Sequence, residues 1–152
     1  MPNKALRILI ADEQHFHRMK IERLFNVLGY YRVAPVQSLG EMLTVVEYGS
    51  EPFDLVVINA SMAGETLGLH GFLLDNPQVR HALVYNAQAR RSPMPVAGQG
   101  RVQVSHAFLP DQVGIQRLMT AIDPPFKDAD QPWLTELYKS QMRLAVRRNC
   151  QI

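Results

Sequence analysis

Two short stretches of this chain are almost continuously apolar: Leu-Arg-Ile-Leu-Ile-Ala at residues 6–11 and Asp-Leu-Val-Val-Ile-Asn at residues 54–59. A strand with one wet face alternates apolar and polar side chains, so an unbroken apolar run predicts a strand covered on both faces, as in the middle of a parallel sheet. Three further strand-like runs fall at 31–36, 81–85 and 102–109, with helix-like segments between them. Phe16, Ile21, Leu24, Phe25 and Leu28 form a helical stripe that Gly29 ends. Ser38 and Glu41 have the spacing of a capping box ahead of Met42, Leu43, Val45 and Val46. A weaker, glycine-interrupted helix is predicted over 67–75, before Asn76-Pro77. Pro110-Asp111 opens another, carrying Ile115, Leu118 and Ile122, and Pro124-Pro125 ends it. Five strands alternating with helices predict an α/β fold with a doubly wound, five-stranded parallel sheet, whose ligand crevice lies at the carboxyl ends of the strands.

Two regions depart from that regularity. Residues 87–101 fall where a fourth helix belongs, yet hold two prolines, two glycines and no sustained apolar stripe. A loop, or at most a helical turn, is expected there. After Pro125, Asp130 is placed to cap an extra helix with Pro132 in its first turn. Its broad apolar face comprises Trp133, Leu134, Leu137, Tyr138, Met142 and Ala145. The expected organisation is therefore one domain over 1–125 and a helical extension over 126–152. At 152 residues the chain is long enough for one real core and too short for two ordinary domains.

Charge and targeting signals narrow the function classes. The first apolar run is too short for a signal-peptide core or a membrane span, so a cytoplasmic protein is expected, without membrane partners. Cys150 is the sole cysteine and cannot form an internal disulfide. Residues 133–152 carry a charge of +3 against −1 for the rest, with Lys139, Arg143, Arg147 and Arg148 outweighing Glu136. Such a tail can suggest nucleic acid. A lone basic helix, however, lacks the second helix and turn that position a reader on DNA, and the Arg90-Arg91 and Arg101 region has no interleaved aromatics. Gly64, Gly68 and Gly71 lack the spacing of a phosphate-cradling loop, as does Gly98-Gln-Gly100. Ser61 and Ser105 show no accompanying histidine and acid in nucleophilic arrangement. His15 and His17, two apart, cannot share one helix face, so no transition-metal site is expected and solvated or capping histidines are the reading.

The first strand runs straight into Asp12-Glu13, which places two carboxylates at the carboxyl end of a central strand. Such a pair suits a hard divalent cation, and equally suits a helix N-cap followed by a solvated first-turn acid. The third strand's Phe53-Asp-Leu-Val-Val-Ile-Asn-Ala-Ser-Met62 supplies the second half of a pattern. Together with the order of elements, these features resemble the response-regulator receiver family over about residues 5–122, and imply its flavodoxin-like fold. In that family an aspartate ending the third strand accepts a phosphoryl group from a kinase's histidine, with magnesium held by it and the acidic pair. The matching residue here is Asn59, whose amide is a poor nucleophile and carries no charge. The family's serine or threonine after the fourth strand corresponds to Asn86, and its lysine before a proline after the fifth strand corresponds to Leu109.

The resemblance therefore implies a degenerate receiver, a phosphorylation-independent signalling and protein-interaction module without catalysis. Alternatives are a receiver switched by a small ligand or metal in the former phosphorylation crevice, or the input domain of a longer regulator. No cofactor is expected beyond weak magnesium at Asp12 and Glu13. The stripe Trp133, Leu134, Leu137, Tyr138 and Met142 is expected to meet a signalling partner or a second copy, with packing back on the body as the competing outcome.

Overall fold

The computed structural model describes residues 3–62, 68–87 and 101–124; the side chain of His70 is not described. Among the described residues ten elements follow in order: strand β1 (Ile8–Ala11), helix α1 (His15–Val27), β2 (Val33–Val36), α2 (Leu39–Tyr48), β3 (Leu55–Asn59), a 3₁₀ turn (Ala60–Met62), α3 (Leu69–Asp75), β4 (Ala82–Tyr85), β5 (Val102–Val104) and α4 (Gln112–Ile122). The five strands form one parallel sheet in the order β2-β1-β3-β4-β5. This is the doubly wound arrangement expected from the two apolar runs, and both runs lie at its centre. Every residue of β1 and of β3 is buried.

Side chains alternate across the pleat and so divide the core in two. Leu9, Val56, Ile58, Val84 and Val102 meet Met42, Val46, Leu69 and Leu73 on one face. Ile8, Ile10, Leu55, Val57 and Tyr85 meet Ile21 and Phe25 of α1 and Ile115, Leu118 and Met119 of α4 on the other. Each such aliphatic side chain contributes roughly 1.5–3 kcal/mol of burial.

Local signals place the helix ends. Ser38 Oγ accepts from Glu41 N at 3.1 Å, and the Glu41 carboxylate accepts from Gln37 N at 3.3 Å, close to the expected capping box. Asp111 caps α4 through Gly114 N at 2.7 Å. Gly29 has φ 97°, a left-handed conformation that glycine adopts without a Cβ penalty just past a helix end. On β2, Arg32 O and Val36 O accept from Ile8 N and Asp12 N of β1. The alternation points Pro35, which has no N–H to donate, towards the strand's outer side, where a proline is tolerated.

Three expectations are corrected. β5 ends at Val104 rather than 109, because residues 105–107 bend to bond past the end of β4: Asn86 N donates to Ala107 O and Ala87 N to Ser105 O. Phe16, assigned to the buried stripe, is 69% exposed, since it lies in the first turn of α1 beyond the end of the sheet. The glycine-interrupted helix starts at Leu69, not 67. The loop expected at 87–101 falls, apart from its two end residues, outside the described residues, as does the extension at 126–152 with its helix.

Candidate functional site

The carboxyl ends of β1, β3 and β4 converge on a buried polar cluster. Asp12 follows β1 directly and is only 1% exposed, although a carboxylate so withdrawn from water needs donors around it. The protein provides them. Gln14 N donates to Oδ1 at 2.8 Å. Oδ2 accepts from the Tyr85 hydroxyl at 2.5 Å and from Asn59 Nδ2 at 3.1 Å. Both carboxylate oxygens are thereby engaged from three separate segments.

Asn59 is the hub. While its Nδ2 donates to Asp12, its Oδ1 accepts from Ser61 N at 3.0 Å, Ser61 Oγ at 2.8 Å and Asn86 Nδ2 at 3.2 Å. An amide can donate and accept at once, whereas an ionised aspartate can only accept and would set a second negative charge against Asp12. Asn59 thus fits its neighbours as an amide. Asn86, at φ 57°, holds the left-handed conformation that asparagine tolerates better than serine or threonine.

Tyr85 ends β4 with its ring in the α1/α4 half of the core and its hydroxyl on Asp12. Burial, first, and then the hydrogen bond and the negative charge of Asp12 push its pKa above the ordinary tyrosine value. The hydroxyl stays protonated and donates. His17 lies over the same carboxylate, with Nδ1 3.4 Å from Asp12 Oδ2, and no hydrogen bond to Nδ1 is found among the described residues. Its ring stands edge-on to Phe108 with centroids 5.3 Å apart. Arg18 NH1 donates to the carbonyls of Asp12 and Glu13 at 2.7 and 3.1 Å, which fixes the loop that carries them.

The structure brings Asp12, Asn59 and Asn86 together and leaves two expected positions apart. Glu13 is exposed while Asp12 is buried, so the two carboxylates of the expected pair sit in different surroundings. Leu109 packs against the α1/α4 half of the core. His17 was expected to be solvated or capping and instead overhangs Asp12, because it sits in the first turn of α1 with its side chain turned back to the crevice; His15 is exposed beside Arg18. Ser61 acts as a donor to Asn59. Tyr85 escaped the sequence reading. Its signal was a hydroxyl at the end of an otherwise apolar central strand, where it must find a buried partner.

Magnesium bound in the receiver manner does not fit these residues. Asp12 is committed to three protein donors, Asn59 brings no charge, Glu13 faces solvent, and no group of three His, Cys, Asp or Glu able to hold a metal ion occurs among the described residues.

No family model matches the sequence, and no curated protein matches it. Among solved structures, the chain is similar to a response regulator receiver domain (CheY-like) from Methylobacillus flagellatus, with a TM-score of 0.53 and 15% sequence identity. The match covers 78% of this chain and 98% of that one. With five parallel strands in the order β2-β1-β3-β4-β5 and helices on both faces, the chain has the flavodoxin-like fold of a CheY-like receiver domain.

Proposed function

We propose that this chain is a signalling module of the response-regulator type that works without phosphorylation, as a non-catalytic binding domain for a protein partner. The observation that carries the reading is the closed network on Asp12. The place where a receiver would hold a cation and an acceptor carboxylate is filled here by the chain's own donors: Tyr85 hydroxyl, Asn59 Nδ2 and Gln14 N. Leu109 adds no cation to offset a phosphoryl charge, and Asn59 is a poor nucleophile. Residues 1–125 form the module and 126–152 its extension in this reading. No helix among the described residues is long and apolar enough to cross a membrane, and a cytoplasmic setting belongs to the proposal.

Incubation with acetyl phosphate and magnesium, followed by intact-mass measurement, tests it. No added phosphoryl group is expected. A stable phosphoryl adduct on any residue of the crevice would overturn the reading. Magnesium affinity should be millimolar or weaker, about −4 kcal/mol at that limit, and calorimetry showing micromolar binding contradicts it.

A further inference from the structure

Helices α1 and α4 share one face of the sheet. Two helices, each about 10 Å across, do not reach the far edge of five strands spaced about 4.8 Å apart. Between α4 and the β4–β5 edge they leave a groove of about 440 Å³, and small-molecule sites hold roughly 300–1,000 Å³. Its apolar walls are Leu83 and Val104 from the strands, Leu109 from the loop after β5, and Leu118 and Ala121 from α4. Leu83, Val104 and Leu109 are half-buried and Ala121 is exposed, so apolar surface meets solvent along the groove.

Charge is set on the α4 side of this trough. Among its lining residues only Arg117 and Asp111 are charged. Asp111 caps α4, with Oδ1 accepting from Gly114 N at 2.7 Å. Arg117 is exposed, and among the described residues its guanidinium has no carboxylate partner. Six helical rises, about 9 Å, separate the two charges along the helix. Gly114 lies midway between them without a side chain, and a Cβ there would meet Asp111 Oδ1 at 2.8 Å. The cap thereby keeps this part of the wall bare.

A planar guanidinium suits a carboxylate, which accepts two parallel N–H bonds from it. The charge on Asp111 opposes a second anion further along, and the apolar walls favour an uncharged chain. We propose that the groove binds a free aliphatic monocarboxylate of medium chain length. Its carboxylate pairs with Arg117 and its chain lies along Leu83, Leu109 and Leu118. None of these residues belongs to the network of Asp12, Asn59 and Asn86, so the site stands or falls independently of phosphorylation.

Calorimetric titration of the full chain with hexanoate, octanoate and decanoate tests the site. One molecule per chain is expected, with affinity rising about fourfold for each added methylene. Sebacate, as long as decanoate but with a carboxylate at each end, should bind more weakly than decanoate. Arg117→Gln should weaken decanoate about fivefold, the upper range for an exposed ion pair. Ala121→Phe fills the groove from an exposed position and should abolish binding with the urea midpoint retained. Gln116→Ala, exposed on the same helix but outside the groove, should leave the affinity unchanged. Absence of decanoate binding overturns the proposal, as do several equivalent sites, affinity indifferent to chain length, or sebacate binding as tightly as decanoate. Decanoate affinity that survives Arg117→Gln or Ala121→Phe overturns it as well.

Discussion

Two tyrosine hydroxyls donate to two buried aspartates, one at each end of the fold. Tyr85 bonds Asp12 at the carboxyl ends of the strands, and Tyr30 bonds Asp123 at 2.7 Å at the amino ends, where Asn3 N adds a second donor at 2.9 Å. Burial and the carboxylate raise both tyrosine pKa values above the ordinary one. The surroundings differ. Tyr30–Asp123 is a strut joining the turn after α1 to the end of α4. Tyr85–Asp12 continues through Asn59 to Ser61 and Asn86, so three strand ends share one hydrogen-bonded network. The same pair of residue types therefore ties two helices at one end and fills a crevice at the other.

The sharpest way to break this comparison is Asp12→Ala. It strands the Tyr85 hydroxyl and one Asn59 amide proton in the core, and should cost about 3 kcal/mol of stability by denaturant unfolding, at about 1–3 kcal/mol for each unsatisfied group. A loss below about 1 kcal/mol would mean the network is not sealed. Tyr85→Phe should cost about 2 kcal/mol and Tyr30→Phe about 1 kcal/mol, because hydrogen bonds to charged groups are worth more where water is better excluded. The reverse order would show that the strut, rather than the crevice, anchors the fold.

Alkaline pH probes both pairs together. A tyrosine whose folded pKa is raised adds stability that is complete below the unfolded value of about 10 and is lost as pH climbs past it towards the folded value. The urea midpoint should therefore fall above about pH 10, more steeply in the wild type than in the Tyr30→Phe, Tyr85→Phe double variant; equal slopes refute the linkage. The smallest effect is expected for Ser61→Ala, about 0.5 kcal/mol, since Asn59 Oδ1 keeps Ser61 N and Asn86 Nδ2. A cost above about 2 kcal/mol would make Ser61 a principal support of the crevice.

Much of the fold was legible because it rests on local patterns. The unbroken apolar runs marked β1 and β3, and Ser38, Asp111 and Gly29 marked helix ends through chemistry that acts within a few residues. The candidate site was legible only in part. Asp12, Asn59 and Asn86 could be found from their places after three strands, but Tyr85 and His17 join Asp12 across 73 and 5 positions through side-chain reach, which periodicity does not encode. Glu13 shows the same limit in reverse. Adjacent residues after a strand point in different directions, and only the tertiary structure decides which is buried.

The strut at the amino ends has a topological consequence. Asn3 N lies 2.9 Å from the Asp123 carboxylate, so the two ends of the α/β body, 120 positions apart, meet at one point. A body whose ends touch can be spliced into a surface loop of another protein without prising that loop open, and it can be circularly permuted through a short bridge from 123 to 3. Such a bridge spares Tyr30 and Asp123, and the new ends are then free to be opened at any exposed turn of the sheet's other connections.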